Sequence, residues 1–253
     1  MEIAIVTGAS SGLGREYAKL LDKEGLNEIW LVARRQLQLE KLAGELTTKS
    51  RIYALDLTDR ASLLTLQQAL ADCQVTIRYL IHAAGFGKMG PVAAMPSGVL
   101  ENMIDLNDRA AVSLVQAVLP YCHAGSHLVQ ICSCAAFLPI PELAVYAATK
   151  TFLLRYSRAL AAELAPKGIL VSVVCPYWVK DTEFIATASQ TDKGRLFRHF
   201  PLAGTKEVVA RRSFQAVKKG RVVITPDVVS TLLRFLSGWI PQSILLYGSR
   251  WFR

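Results

Sequence analysis

The most constraining feature of this sequence is a regular alternation of short apolar runs with longer amphipathic segments, beginning at its first residues. The apolar runs are rich in Val, Ile and Leu, as expected for strands that are buried on both faces. Such alternation predicts an α/β fold in which a mainly parallel sheet is covered by helices on both faces. The predicted strands are IAIVT, EIWLVA, RIYAL, IRYLIHA, HLVQICS, ILVSVVC and RVVIT.

The predicted helices lie between these strands. Gly25 and Gly168 stand where the first and last of them should end, and glycine commonly ends a helix. No linker, internal repeat or low-complexity tract interrupts the pattern. We therefore predict one doubly wound domain over residues 1–253, with a core at 1–190 and a basic, apolar region at 191–253. The predicted helices are Leu13–Glu24, Leu37–Leu46, Ser62–Ala71, Val99–Leu119 and Tyr146–Leu164.

Composition narrows the class of protein further. The chain has 253 residues, of which 52% are hydrophobic and 19% charged, so a disordered chain or a disulfide scaffold is excluded. Five scattered cysteines without a CxxC pair indicate reduced thiols in a cytoplasmic protein, and we expect no metal site. Met1 runs almost directly into the first strand, and no apolar run reaches about 18 residues. We expect neither a signal peptide nor a spanning helix, in a protein that is soluble or at most peripheral.

The positive charge is concentrated at the end of the chain. Residues 1–191 carry 17 basic and 17 acidic residues, whereas residues 192–253 carry 12 and 3, which accounts for the net charge of +9. The apolar segment within this basic region fits a helix lying on a membrane or an anionic partner. A solvated basic face beside a helix that packs on the core is the alternative we favour, because Gly238 and Pro241 interrupt the segment. No nucleic-acid recognition motif accompanies the charge, so we expect no nucleic-acid partner. Trp239, Leu245, Tyr247 and Trp251 are candidates for a pocket lid, with core packing the favoured role of each.

A glycine-rich loop, TGASSGLG, follows the first predicted strand and opens the first predicted helix. Glycines allow a tight turn and a close approach of the backbone to a phosphate, and a helix N-terminus offers free N–H groups to an anion. Two serine hydroxyls add further donors. The loop therefore predicts a pyrophosphate site formed by Gly8, Ser10, Ser11, Gly12, Leu13 and Gly14.

The end of the second predicted strand bears on which dinucleotide is bound. An NAD site has an acidic residue about 20 positions after the loop, to accept a hydrogen bond from the ribose 2′-hydroxyl. Here Ala33 stands at that place and Arg34 follows it. A guanidinium grips a 2′-phosphate, so we predict NADP(H) with Arg34 as the main phosphate contact. Alternatively, Arg34 and Arg35 only cover a helix start on the surface.

The third predicted strand ends in LDLTD. Asp56 is placed to accept from an adenine amino group, with Leu57 beside the ring. A helix cap is an equally supported interpretation of Asp56, because Thr58 and Asp59 lie at the same place.

Tyr146 and Lys150, in YAATK, share one face of a predicted helix. A neighbouring ammonium favours the phenolate and so lowers the pKa of a tyrosine, which is otherwise near ~10. Ser133, at a strand end, offers a hydroxyl to hold a substrate oxygen beside the tyrosine. Such a set suits proton transfer to a carbonyl oxygen while a hydride reaches the carbonyl carbon.

Together, TGASSGLG, Ser133 and YAATK resemble the short-chain dehydrogenase/reductase family over residues 1 to about 185. The resemblance implies a Rossmann-type fold with Tyr146 as general acid/base and Ser133 orienting the carbonyl. Lys150 would bind the nicotinamide ribose and tune Tyr146. Asn107, in MIDLND, matches a family asparagine and would hold a water that extends the proton relay.

Three further segments differ from the family pattern. HAAG replaces the NNAG of the family, and its Ala83, Ala84 and Gly85 would contact the cofactor through their backbone, while His82 is expected to be a packed histidine. Tyr177 replaces a glycine after Pro176, and its large ring would either reshape the pocket or stack at the nicotinamide position. Val179 and Thr182 would contact the carboxamide, and Arg34 resembles the NADP-preferring members.

The resulting hypothesis is an NADP(H)-dependent oxidoreductase that interconverts a carbonyl and an alcohol on a lipophilic small molecule. The alternative is a non-catalytic NADP(H)-sensing module that binds partners. The family often pairs the helices corresponding to Val99–Leu119 and Tyr146–Leu164, so we expect a homodimer or homotetramer. Peripheral membrane contact through the C-terminal segment is a further hypothesis.

Overall fold

The computed structural model describes residues 1–191, 202–241 and 243. Every predicted strand is present, within a few residues of its expected bounds. The strands of the described residues are β1 Glu2–Thr7, β2 Glu28–Ala33, β3 Ser50–Ala54, β4 Thr76–His82, β5 Cys122–Ile131, β6 Leu170–Val174, β7 Val179–Lys180, β8 Gly204–Thr205 and β9 Val223–Ile224.

Seven of these strands form one parallel sheet in the order β3-β2-β1-β4-β5-β6-β9, and β7 pairs with β8 separately. The strand order changes direction between β1 and β4, because β2 and β3 follow on one side of β1 while β4, β5 and β6 follow on the other. At this switch point Thr7 is in register with Val32 on one side and His82 on the other. In such sheets the crevice beyond the carboxyl ends of these strands takes the ligand. The predicted doubly wound α/β fold is confirmed.

Helices cover both faces of the sheet, as predicted. Their bounds are α1 Gly12–Leu21, α2 Gln36–Ala43, α3 Arg60–Asp72, α4 Ser97–Ile104, α5 Ala110–Val118, α6 Ala144–Leu164, α7 Glu183–Ala188, α8 Lys206–Lys218 and α9 Val228–Trp239.

The prediction of one helix over Val99–Leu119 is confirmed, because residues 97–118 are helical without interruption, but this helix contains a π-helical turn that the spacing did not predict. A π-helical segment, Asp105–Arg109, separates α4 from α5. Asn107 lies in that segment, where its side chain bonds to the backbone of another loop. Such π-helical turns often occur at functional sites.

The sheet separates two apolar cores. One contains Ile5, Trp30 and Leu114, and the other contains Tyr17 and Phe214. Tyr17 meets Phe214 edge to face with ring centres 6.0 Å apart, and so joins α1 to α8. Burying a side chain of this size contributes about 1.5–3 kcal/mol. The two cores hold the strand ends, and therefore the loops beyond them, in a fixed arrangement.

The C-terminal helix α9 differs from the favoured interpretation. It ends at Trp239, shortly before Pro241, as the interruption of the segment predicts. The core-packing role favoured for Trp239 is wrong, because Trp239 is 78% exposed, and it does not line the main cavity either. Leu245, Tyr247 and Trp251 lie outside the described residues. Among the residues that are described, no helix is long and apolar enough to cross a membrane.

Candidate active site

A cavity of about 890 Å³ opens at the carboxyl edge of the sheet, over the switch point. It brings together residues from separate segments of the chain between Gly8 and Leu233. Of the residues predicted from the sequence, all except Asn107 line it: Gly8, Ser10, Ser11, Gly12, Leu13, Gly14, Arg34, Asp56, Leu57, Ala83, Ala84, Gly85, Ser133, Tyr146, Lys150, Val179 and Thr182.

The glycine-rich loop is held by close backbone packing. Gly8 has a φ of +65°, and a Cβ there would lie 2.7 Å from the carbonyl carbon of Ala83. A Cβ on Gly14 would lie 2.7 Å from the carbonyl carbon of Gly8. The Ala84 N–H donates to Thr7 Oγ1 at 3.1 Å, which ties the loop to β4. The first N–H groups of α1 have no intrahelical partner, so the loop offers them to an anion at the cavity wall.

The two adjacent arginines at the end of β2 make different contacts. Arg34 is 74% exposed, and its Nη1 lies 3.8 Å from Asp56 Oδ2. Arg35 Nη2 donates to Ser10 Oγ at 3.1 Å, and its Nη1 donates to Glu183 Oε1 at 3.0 Å. That bond lowers the pKa of the Glu183 carboxyl. The sequence analysis missed Glu183 and any cofactor role for Arg35, which also lines the cavity.

Asp56 is not the cap of the following helix. Asp59 has that role, because its Oδ1 accepts from the Ala61 N–H at 3.0 Å. Asp56 Oδ1 accepts from the N–H of Thr58 at 3.0 Å and from its hydroxyl at 2.7 Å. Burial raises the pKa of the Asp56 carboxyl, but the Thr58 hydrogen bonds lower it more, so the net shift is downward. Asp56 therefore stays ionised and presents Oδ2 towards Arg34.

The three proposed reacting groups converge on one end of the cavity. Tyr146 and Lys150 lie one turn apart on α6, and Ser133 follows β5. The Lys150 Nζ lies 5.6 Å from the centre of the Tyr146 ring and donates to the Ile131 carbonyl at 3.2 Å. Ser133 Oγ accepts from the Ala135 N–H at 3.1 Å, which fixes its position at the start of a short 3₁₀ turn.

The expected effect of Lys150 on Tyr146 is not found in the protein alone. Burial raises the pKa of Tyr146 well above its usual value, while a hydrogen bond with Ser133 opposes that rise. Burial likewise lowers the pKa of Lys150. The physical reason is that the Lys150 ammonium faces the Ile131 carbonyl and the tyrosine ring, and both groups have left water. Tyr146 is therefore a neutral hydroxyl that has a proton to donate.

Asn107 lies behind the cavity instead of in its wall. It is fully buried, its Oδ1 accepts from the Phe86 N–H at 3.1 Å, and its Nδ2 donates to the Phe86 carbonyl at 3.0 Å. The same Nδ2 lies 3.0 Å from Thr149 Oγ1, and Thr149 in turn donates to the Tyr146 carbonyl. The Asn107 side chain is thus engaged with protein groups, and its role in holding a water stays a prediction. Its contacts position the loop after β4 against α6.

An apolar end of the cavity was missed by the sequence analysis. Tyr146 contacts Phe184 with ring centres 5.4 Å apart, and Phe184 contacts Trp178 at 6.3 Å. No periodic signal points to these two residues, because Trp178 lies in the loop after β6 and Phe184 lies in the short helix α7. Tyr177 also lines the cavity, as its large ring suggested. The other apolar lining residues at this end include Phe86, Leu138, Ile140, Leu143 and Leu233.

Buried polar groups lie beneath the reacting set. His82 is 1% exposed, and its Nδ1 lies 2.9 Å from Gln130 Oε1. Burial, with a smaller contribution from Lys150, lowers the pKa of His82 to about 4, so it is neutral at pH 7. Asp108 follows Asn107, and burial raises the pKa of its carboxyl to about 7. His82 is packed between strands and does not line the cavity.

The comparison with known families identifies the chain. A sequence model of the short chain dehydrogenases matches residues 2–193. The chain belongs to the short-chain dehydrogenase family. The resemblance drawn from the loop and the YAATK motif is confirmed.

Individual family members agree with this identification. A very-long-chain 3-oxoacyl-CoA reductase of Lodderomyces elongisporus is 37% identical over 193 residues, which are 70% of this chain and 54% of that protein. The chain thus spans about half the length of that relative. The Homo sapiens very-long-chain 3-oxoacyl-CoA reductase is 27% identical over 97% of this chain and 78% of that protein.

A solved short-chain dehydrogenase from Sphingobium yanoikuyae, in complex with NADPH, has a TM-score of 0.78 at 26% identity. The match covers 96% of this chain and 98% of that one. The residues of the present cavity fit a nicotinamide dinucleotide, because helix N–H groups, a cationic edge and the reacting hydroxyls border one continuous space.

Proposed function

We propose that this protein is an NADP(H)-dependent oxidoreductase that interconverts a carbonyl and an alcohol on a lipophilic substrate. The observation that carries the proposal is the convergence of Ser133, Tyr146 and Lys150 at the apolar end of one cavity, whose other end carries Arg34. A bound reduced nicotinamide would supply the hydride for the carbonyl carbon. The very-long-chain 3-oxoacyl-CoA reductases among its relatives support a carbonyl on an apolar chain as the substrate class.

In the proposed reaction Tyr146 donates its proton to the carbonyl oxygen. Ser133 holds that oxygen beside the tyrosine by donating a hydrogen bond. Lys150 sits over the ring of Tyr146, so its ammonium stabilises the phenolate that proton donation leaves behind. In the reverse direction the phenolate accepts the alcohol proton. The Phe184 and Trp178 rings exclude water from this end of the cavity.

The first experiment is a fluorescence titration of the purified chain with NADPH and, separately, NADH at one salt concentration. It is followed by turnover assays on a panel of aldehydes, ketones and alcohols. Tighter NADPH binding and reduction of apolar ketones are expected. Equal affinity for both dinucleotides would remove the NADP preference, and the oxidoreductase assignment would stand.

The role of Tyr146 is tested by Tyr146→Phe. Loss of a general acid should reduce kcat by at least about 100-fold while NADPH affinity stays nearly unchanged. Tyr156→Phe is the matched control, because Tyr156 lies on the same helix, stacks on Phe152 and does not line the cavity. Undiminished turnover in Tyr146→Phe would contradict the assigned acid.

The sensing module is the second candidate, favoured only by the altered HAAG and Pro176-Tyr177 segments. Tight NADPH binding without turnover of any carbonyl or alcohol would support it. Assembly into a homodimer or homotetramer, a cytoplasmic location and the division at residue 190 stay predictions. Sedimentation analysis of the purified chain and imaging of a tagged full-length chain test the first two.

A further inference from the structure

The apolar side of α9 faces solvent. Val228, Leu232, Phe235, Leu236 and Trp239 are 72, 54, 63, 41 and 78% exposed, respectively. Their spacing places them within an arc of about 100° on the helix. We refer to these five residues as the α9 stripe. A surface helix of a globular protein normally turns such an arc towards the core, so the orientation of α9 is inverted.

The opposite side of α9 faces the protein, although it is partly polar. Ser230 is fully buried, and its hydroxyl donates to the Asp227 carbonyl at 3.1 Å. Leu233 lines the main cavity. Asp227 caps the helix by accepting from the Ser230 N–H at 2.7 Å, and its second oxygen accepts from the Tyr177 N–H at 3.0 Å. These bonds anchor α9 at its N-terminus in the inverted orientation.

A contiguous apolar surface of this kind usually marks an interaction site. The charges around it indicate what covers it. From residue 228 to residue 253 the sequence contains three arginines, Arg234, Arg250 and Arg253, and no acidic residue. This charge balance of the sequence favours an anionic surface over a second copy, which would bring two basic segments together.

The length and composition of α9 select the kind of anionic surface. Its 12 residues span about 18 Å, which is shorter than the hydrocarbon core of a bilayer. Large apolar side chains on one face, a tryptophan at the end and basic residues nearby are typical of a helix that lies in the plane of a membrane interface.

We propose that α9 docks the protein on the surface of an anionic lipid bilayer, with the α9 stripe inserted among the lipid headgroups. Because Leu233 lies on the protein-facing side of the same helix and lines the main cavity, docking places that cavity across α9 from the bilayer. A lipophilic carbonyl compound dissolved in the membrane then has to pass α9 on its path to that cavity. This path rests on the proposed function, whereas the docking itself rests on α9 alone.

The docking is tested by co-sedimentation of the full chain with vesicles, without cofactor or substrate. Vesicles of phosphatidylcholine with about 30 mol% phosphatidylserine should bind the protein at low salt, and binding should weaken as salt rises. Vesicles of phosphatidylcholine alone should bind it much less. Absence of binding to the anionic vesicles at low salt would overturn the proposal.

The stripe is tested by Phe235→Ser combined with Trp239→Ser, which should weaken vesicle binding by about tenfold or more. The matched control is Phe152→Ser, because Phe152 is an exposed aromatic on α6, outside the stripe. Equal binding by the double variant and the wild type would overturn the role of α9. A second result would also overturn it: a wild-type dimer in sedimentation velocity that the double variant does not form, together with no vesicle binding by the wild type. A second copy of the chain would then cover the stripe.

Membrane docking and oxidoreductase activity can be tested separately. Turnover of a water-soluble carbonyl compound should be the same in the wild type and the Phe235→Ser, Trp239→Ser double variant, because neither residue lines the cavity. Circular dichroism and the thermal midpoint confirm that the double variant is folded. Vesicle binding without turnover would refute the enzyme and leave the docking intact.

Discussion

Arg34 and Arg35 are neighbours in sequence, yet their surroundings predict different roles. Arg35 is held between Ser10 and Glu183, so its charge is already paired. Arg34 is largely exposed, and among the residues that the structure describes its ion pair is the longer 3.8 Å contact with Asp56. A guanidinium in this state can turn to a phosphate without breaking a strong bond, whereas Arg35 contacts Ser10 in the loop that is predicted to bind the pyrophosphate.

Arg34→Ala should therefore weaken NADPH binding about 10- to 100-fold more than NADH binding, which is the range of one lost charge-assisted contact. Arg35→Ala is the comparison, and it should weaken both dinucleotides to a similar degree because it loosens Ser10. Titration of each variant with both dinucleotides measures the difference. Equal losses for NADPH and NADH in Arg34→Ala would remove Arg34 as the 2′-phosphate contact.

Gly8→Ala should disrupt both folding and dinucleotide binding. Its positive φ costs an alanine about 1–2 kcal/mol, and the new Cβ would meet the Ala83 backbone at 2.7 Å. Gly25→Ala is a matched control, because Gly25 has a φ of +70° with no atom within 4 Å of the added Cβ. Urea unfolding should show a larger loss for Gly8→Ala, and similar losses would contradict the close packing.

At the scale of elements, the π-helical segment between α4 and α5 joins the cavity floor to the catalytic helix. Asn107 satisfies both backbone groups of Phe86 and contacts Thr149 on α6. A regular helix would turn this side chain by a different angle and break the connection. We therefore expect the π-helical segment to affect the reaction indirectly, by positioning the loop after β4 against α6.

Asn107→Ala should leave the Phe86 N–H and carbonyl without these partners and cost about 2–3 kcal/mol in the free energy of unfolding. We also expect a lower kcat, because the loop after β4 and α6 lose a shared contact. Asn102→Ala, at an exposed position on α4, should change stability little. Urea unfolding and steady-state kinetics of both variants provide the measurement, and equal stabilities would show that the Asn107 contacts contribute nothing.

At the scale of the whole molecule, buried ionisable groups make stability depend on pH. Burial lowers the pKa of His82 and of His127 to about 4. As pH falls from about 6.5 to 4, the unfolded chain binds protons that these folded imidazoles do not, so stability falls. Asp108 has the opposite effect on stability. Burial raises the pKa of its carboxyl to about 7, so the folded chain binds this proton at a higher pH than the unfolded chain, and stability rises as pH falls through 7.

His82→Asn isolates one of these contributions. The variant should lose less stability than the wild type between pH 6.5 and pH 4, by about 3 kcal/mol, since a shift of one pKa unit corresponds to about 1.4 kcal/mol. At pH 8 both imidazoles are neutral in the folded and unfolded chains and contribute no slope. Urea unfolding at several pH values measures the difference, and parallel curves for the two proteins would exclude His82 as a source of the acid sensitivity.

Much of the fold was predictable because its signals are local. A buried parallel strand needs a continuous apolar run, and a glycine loop before a helix needs glycine at fixed positions. The strands, the glycine-rich loop and the YAATK motif could therefore be predicted from the sequence. The π-helical turn at Asp105–Arg109 could not, because no local spacing marks it, and Asn107 within it bonds to Phe86 in the loop after β4.

The sequence by itself determined the fold class, the family and the identity of Ser133, Tyr146 and Lys150, because these depend on residue type and spacing along one chain. Only the tertiary structure decided which surface α9 buries, which arginine is free, and that burial raises the pKa of Tyr146. Burial, charge pairing and desolvation arise between segments that are distant in sequence. Their balance is set only when the sheet and its helices have assembled.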